Sequence, residues 1–107
     1  MHKIQYKNIS TDKDNILKVI GKMIPIYKRM EKHTQVLECE QWVLMLSRKP
    51  IQMEYTSDAI LALKNILNDC ANICLSYYEY NLGNTAMILM DKVSKLFKQI
   101  GYESNRY

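Results

Sequence analysis

The chain has 107 residues, and its 15 basic and 11 acidic side chains give a formal net charge of +4. Hydrophobic residues make up 48% of the chain and charged residues 24%, which excludes the composition of a disordered protein. Because compact domains usually contain roughly 100–150 residues, we expect a single domain over residues 1–107. Residues 1–10 and 102–107 show no helical periodicity, and we predict that these two ends are flexible.

The sequence shows no signal for export or for membrane insertion. Its first residues are polar and basic, without the apolar stretch of ~7–15 residues that a secretory signal needs. The three cysteines fall inside apolar patterns instead of the loop positions of a disulfide framework. We therefore predict a cytoplasmic protein without a transmembrane segment. The longest apolar runs have five residues, far below the ~20 that span a bilayer: Trp42 to Leu46, Ala59 to Leu63 and Ala86 to Met90.

A first helix is predicted over residues 11–33, with Thr11 as its N-cap. Pro25 removes a backbone donor and its ring clashes with the carbonyl of Gly21, so we predict a kink at Pro25. A break of the helix near residue 24 is the alternative. The apolar residues recur in steps of four and three, which places them on one face: Ile16, Ile20, Met23, Tyr27 and Met30.

A second helix begins at Thr34 and is stopped by Pro50. Residues 50–56 form the longest linker, and its alternating apolar residues favour an extended strap across the bundle: Ile51, Met53 and Tyr55. The apolar positions of the second helix give it a wide buried face: Val36, Cys39, Trp42, Val43, Met45 and Leu46.

A third helix begins at Thr56 or Ser57, and a turn at Asn81–Asn84 separates it from the fourth, because Asn and Gly tolerate positive φ. Gly101 is the predicted C-cap of the fourth helix. The third helix has two adjacent apolar lines: Ile60, Leu63, Leu67, Cys70, Cys74 and Tyr77, and Ala59, Ile66, Ile73 and Tyr80. The fourth helix has one: Ala86, Leu89, Val93, Leu96 and Ile100.

Four such helices predict an all-α fold. Stripes that alternate steps of three and four are typical of nearly aligned helices, and short connections place consecutive helices side by side. The chain also contains only three glycines and two prolines, which is few for a protein made of many short strands. We predict an antiparallel four-helix bundle built from two helical hairpins.

The cysteines and one histidine raise the question of a zinc site. Cys39, Cys70, Cys74 and His33 could supply four zinc ligands. All three cysteines nevertheless occupy positions that the apolar stripes require, and free cysteine is among the most buried residue types. We interpret them as core residues and predict no metal site.

The sequence contains no recognisable catalytic pattern. It has no Cys-x-x-Cys motif and no glycine-rich phosphate loop. Its closely spaced carboxylates, such as Glu38 with Glu40, are two residues apart and diverge across a helix surface. We predict a protein without enzymatic activity, catalytic residues or cofactors.

Tyrosine and methionine are more abundant than four short stripes need, with eight and seven copies respectively. Tyrosine is enriched where proteins meet, and methionine adapts to irregular surfaces. We therefore predict an interaction module in which some of these surplus side chains contact a protein partner. The partner can be another protein or a second copy of this chain. The tyrosines assigned to this surface are Tyr55, Tyr77, Tyr78 and Tyr80.

Basic residues offer an alternative partner. Lys92, Lys95 and Lys98 on the fourth helix are also assigned to the partner-binding surface. The first helix carries further basic residues, and together with Tyr77, Tyr78 and Tyr80 both sets could supply phosphate contacts and stacking surfaces for single-stranded nucleic acid: Lys18, Lys22, Arg29 and Lys32. A basic face could equally meet an acidic protein or an anionic membrane surface. Because positive and negative charges are evenly mixed along the chain, we favour the protein partner.

The format of the chain is similar to that of three groups of known proteins. Its length, its lysines, its four predicted helices and its aromatic tail at residues 102–107 resemble the immunity proteins that protect lactic-acid bacteria from pediocin-like bacteriocins. Small helical proteins of phages and mobile elements, many of which bind and block a larger enzyme, share the format. Helical small subunits of nucleoprotein effector complexes share it too. We therefore predict a regulator or inhibitor of a larger protein, with a nucleoprotein-complex subunit and a bacteriocin immunity protein as alternatives.

Overall fold

The computed structural model describes residues 3–5, 9–48 and 54–104, and side chains over residues 12–48 and 55–96. Helix α1 packs against α2 and helix α3 against α4, which confirms the predicted four-helix bundle of two helical hairpins. The four helices are α1 (Ile9–Arg29), α2 (His33–Ser47), α3 (Ser57–Ser76) and α4 (Tyr80–Ser104).

Two short strands accompany the helices. β1 (Lys3–Gln5) and β2 (Glu54–Thr56) pair antiparallel, with Ile4 opposite Tyr55. β1 falls within the N-terminal segment that we expected to be flexible, and β2 is the end of the predicted extended strap. Ile51 and Met53 of that strap lie outside the described residues, and the flexibility of both chain ends stays a prediction. The order strand, helix, helix therefore occurs twice along the chain.

The first hairpin is connected by a Schellman motif, a common way to end a helix. Glu31 has a φ of 57°, and its N–H donates to the Lys28 carbonyl at 3.2 Å. The N–H of Lys32 donates to the Tyr27 carbonyl at 2.9 Å, which completes the motif. Glu31 thus occupies the left-handed position where helices usually have glycine. The connection ends α1 at Arg29, four residues before the predicted end.

The second hairpin uses the same motif. Tyr78 has a φ of 61°, and its N–H donates to the Leu75 carbonyl at 3.4 Å. The N–H of Glu79 donates to the Cys74 carbonyl at 2.7 Å. Our prediction of a turn at Asn81–Asn84 was therefore wrong, because the chain reverses at residues 77–79 and α4 already begins at Tyr80.

Gly83 has a packing role in this arrangement. It lies buried in the first turns of α4, where a Cβ atom would stand 3.2 Å from Leu75 Cδ2 and 3.3 Å from Cys74 Cβ. Glycine here lets α4 approach α3 closely, which is why the sequence has glycine at this helical position. The predicted C-cap at Gly101 was also wrong, since α4 continues through it to Ser104.

Pro25 lies inside α1, which runs without a break, so the alternative of two separate helices was wrong. The kink at Pro25 stays a prediction. The predicted stripes supply most of the core, but Met30, Tyr77 and Tyr80 are exposed because they lie at the hairpin connections, beyond the reach of a covering helix. The predicted core residues found buried are Ile16, Ile20, Met23, Tyr27, Val36, Cys39, Trp42, Leu46, Ile60, Leu63, Ile66, Leu67, Cys70, Cys74, Ala86, Leu89 and Val93.

Candidate protein-interaction surface

Three exposed tyrosines surround the connection between α3 and α4. Tyr77 and Tyr78 are 74% and 79% exposed, and Tyr80 at the start of α4 is 50% exposed. The rings of Tyr78 and Tyr80 meet edge to face, with centroids 5.8 Å apart and planes at 83°. This is a favoured geometry for an aromatic pair, so the contact stabilises the positions of the two exposed rings. We call Tyr77, Tyr78 and Tyr80 the tyrosine turn.

Glu79 anchors the tyrosine turn to the rest of the bundle. Its carboxylate Oε1 accepts a hydrogen bond from Lys22 Nζ of α1 at 2.8 Å, and Oε2 lies 3.6 Å from Cys74 Sγ. Its carbonyl accepts from the N–H of Gly83 at 3.0 Å, which begins the hydrogen bonding of α4. The hydrogen bond from Lys22 lowers the pKa of Glu79, and the same bond raises the pKa of Lys22.

A pair of buried thiols lies beneath the anchor. Cys70 and Cys74 are fully buried, with their sulfur atoms 3.7 Å apart on one face of α3. Burial, reinforced by the Cys74 contact, raises the pKa of Cys70 to about 12. Burial also raises the pKa of Cys74, with Glu79 acting in the same direction. Both thiols therefore stay protonated near neutral pH and are poor nucleophiles.

An open depression lies beside the tyrosine pair. Its wall includes both perpendicular rings, and it continues along the first turn of α4. Two of its five lining residues belong to the predicted partner surface, and the other three were missed because a turn was predicted where α4 begins. We call this depression the tyrosine notch, and it is lined by Tyr78, Glu79, Tyr80, Asn81 and Leu82.

Tyr55 lies away from the tyrosine turn and is only 3% exposed. As the central residue of β2 it packs its ring on Trp42, with ring centroids 5.0 Å apart. The Trp42 indole in turn donates to the Ala59 carbonyl of α3 at 3.0 Å. Tyr55 therefore belongs to the core and offers no surface to a partner in this structure.

The lysines of α4 also lie apart from the tyrosine turn. Lys92 Nζ pairs with Asp12 Oδ1 of α1 at 3.0 Å, and Asp12 is buried. Lys95 pairs with Asp91 at 3.2 Å on the exposed face of α4. Lys98 lies in α4, but its side chain falls outside the described part of the structure. Lys92 thus links two helices, a role that sequence spacing did not reveal because Asp12 is 80 residues away.

Metal-binding and membrane-spanning features concern other classes of function. Within residues 12–48 and 55–96, no three His, Cys, Asp or Glu side chains lie close enough together to hold a metal ion. Over the described residues, no helix has the length and apolar character that crossing a membrane requires.

The chain has no significant match among protein-family models, curated proteins or solved structures. Its function therefore has to be inferred from the tyrosine turn and from the contacts that hold it.

Proposed function

We propose that the protein is a small, non-enzymatic interaction module that binds a larger protein through the tyrosine turn and thereby regulates or inhibits it. Exposed aromatic side chains at a fixed position are typical of binding hot spots, because they supply a large contact area at a low cost in conformational entropy. The buried, reduced thiols support our proposal that it works in the cytoplasm.

The observation that carries this proposal is the comparison between the two hairpin connections. Both are Schellman motifs with a non-glycine residue at positive φ, so the backbone geometry is the same. The first connection is built from Met30, Glu31 and Lys32, followed by His33, without any tyrosine. The tyrosines of the second connection are therefore not needed to reverse the chain. Their solvent exposure shows that they are not needed for the core either.

Charge favours a protein partner over nucleic acid. Lys22, the lysine that reaches the tyrosine turn, is paired with Glu79 and so carries no surplus charge for a phosphate. Lys92 and Lys95 are each paired with a carboxylate as well. Affinity for nucleic acid comes largely from cations that neutralise phosphates, and these pairs reduce that contribution.

The test compares two triple variants in binding a partner identified by capture from native lysate. The substitutions Tyr77→Ala, Tyr78→Ala and Tyr80→Ala remove the tyrosine turn. The matched control replaces three other exposed apolar residues: Leu37→Ala, Leu44→Ala and Met30→Ala. We expect the tyrosine variant to lose at least ~30-fold in affinity, as a loss of about 2 kcal/mol at a hot spot implies, and the control to bind like the wild type.

Two outcomes would contradict the proposal. One is a partner protein that binds the tyrosine variant as tightly as the wild type. The other is retention of single-stranded oligonucleotides by the wild-type chain with a steep loss of affinity as salt rises, because that dependence reports phosphate contacts. Circular dichroism of both variants checks that the bundle remains folded.

A further inference from the structure

We propose that the tyrosine notch binds a proline-rich segment of the partner protein in the polyproline II conformation. This inference rests on the proposed function and specifies the chemistry of the partner. It follows from the shape of the notch, its hydrogen-bonding groups and its charge.

The shape of the notch suits a ridge of prolyl rings. The planes of Tyr78 and Tyr80 stand at 83°, so the two rings form an angled aromatic wall on one side of the depression. Leu82 adds an aliphatic surface one turn into α4. A polyproline II helix has three residues per turn and presents its prolines as a regular ridge, and recognition domains for such ligands dock that ridge in grooves lined by aromatic side chains.

The hydrogen-bonding groups of the notch complement the same ligand. A polyproline II segment makes no internal hydrogen bonds, and proline has no backbone N–H, so its backbone offers carbonyl acceptors and few donors. The notch carries hydroxyl donors on Tyr78 and Tyr80 and an amide donor on Asn81. All three residues are exposed, so these donors are accessible to carbonyl oxygens of a bound segment.

The charge of the notch favours an uncharged segment. Glu79 is the carboxylate that lines it, and Lys22 neutralises this carboxylate at 2.8 Å. The ion pair leaves the notch without a net charge to attract a phosphate, an acidic peptide or a basic peptide. The edge-to-face contact between Tyr78 and Tyr80 orders the ring pair before binding. A preformed notch and a stiff ligand both reduce the entropy lost on association.

The test measures amide chemical shifts of the isotopically labelled full-length chain during titration with acetylated, amidated octaproline. A Gly-Ser octapeptide with the same end groups is the matched ligand control. We expect saturable shifts that are centred on residues 78–82 and absent with the Gly-Ser peptide. Tyr78→Ala and Tyr80→Ala should each weaken binding about tenfold, on the scale of aromatic hot spots. Tyr77→Ala removes a tyrosine that does not line the notch, so it should bind octaproline like the wild type.

The outcomes separate this inference from the proposed function. If octaproline causes no saturable shifts at residues 78–82, or if the Gly-Ser peptide binds equally well, the inference is wrong. The proposed function survives that result if the triple tyrosine variant still binds the partner protein more weakly than the wild type does. Preferential binding of a single-stranded oligonucleotide at the notch would overturn both. Tyr78→Phe and Tyr80→Phe keep the rings, so octaproline binding by these variants that is intact or only partly weakened supports recognition by the aromatic wall.

Discussion

The hydroxyl of Tyr27 on α1 donates a 2.6 Å hydrogen bond to Asp69 Oδ2 on α3 and joins residues 42 positions apart. Tyr27 is fully buried, and its burial, together with this bond, raises the pKa of its hydroxyl. We expect Tyr27→Phe to lower the free energy of unfolding by about 1.5–3 kcal/mol, the usual value for a hydrogen bond to a charged group. Urea denaturation followed by circular dichroism measures this change.

The control for Tyr27→Phe is a double-mutant cycle with Asp69→Asn. If the two side chains stabilise the bundle through their mutual bond, the double variant should lose less stability than the sum of the single losses. Strict additivity would show that the bond contributes nothing and that the loss from Tyr27→Phe has another origin.

Two glycines inside helices should respond to alanine in opposite directions. Gly83→Ala places a Cβ 3.2 Å from Leu75 of α3, so we expect a loss of about 1–3 kcal/mol, as in other overpacked cores. Gly21 of α1 is exposed, and a Cβ there meets nothing within 4 Å. Gly21→Ala should therefore stabilise the chain by roughly 0.5–1 kcal/mol through helix propensity alone. Thermal or urea unfolding of both variants checks the contrast, and a stabilising Gly83→Ala would contradict the close approach of α3 and α4.

The interiors of the helices were predictable from sequence, whereas their ends were not. Apolar residues that recur at intervals of three and four positions identify the buried face of a helix. This pattern correctly placed residues such as Leu63 and Val93 in the core. Helix ends were missed because sequence rules search for glycine at the left-handed position, which Glu31 and Tyr78 occupy here. Gly83 looked like a turn residue, although its function is to allow close packing of two helices.

The candidate site was only partly predictable for a similar reason. The exposed tyrosines were identified because local sequence contains more aromatic residues than the stripes need. The extended strap was predicted, but its pairing with β1 was not, because Ile4 and Tyr55 lie far apart along the chain and local sequence carries no signal for their pairing. Tyr55 was consequently assigned to the surface, although it is buried. The ion pair between Lys22 and Glu79 joins positions 57 residues apart, and a single sequence contains no local signal for such a contact.

The left-handed residues of the two connections provide a matched pair of stability tests. A non-glycine residue in this conformation costs roughly 1–2 kcal/mol, and glycine removes that cost while adding entropy to the unfolded chain. We expect Tyr78→Gly and Glu31→Gly each to stabilise the bundle by up to about 1 kcal/mol in urea denaturation. Tyr78→Gly should in addition lose partner binding, whereas Glu31→Gly should keep it. If both variants lost partner binding, the loss would have to come from the more flexible backbone and not from removal of the Tyr78 ring.

The buried thiols should make stability fall in alkaline solution. Burial raises the pKa of Cys39 to about 12 and that of Cys70 to about 12, from a usual value of 9.0. Because an unfolded thiol ionises at a lower pH than a folded one, the folded state holds its thiol protons more tightly. This contribution is complete below pH 9 and is lost as the pH rises towards about 12. The urea midpoint should therefore fall over this range.

Thiol labelling tests the same burial directly. The chain has three cysteines, all free and buried, so a maleimide at neutral pH should label none of them in the folded protein and all three in concentrated urea. Tyr27 and Lys22 also have raised pKa values and contribute to the loss of stability in alkaline solution. Cys39→Ala therefore serves as the control that isolates the contribution of one thiol. That variant should be less stable at pH 7 and should lose less further stability between pH 9 and about 12, because it has one thiol fewer to ionise on unfolding. Rapid labelling of the folded protein would contradict the core position of these residues.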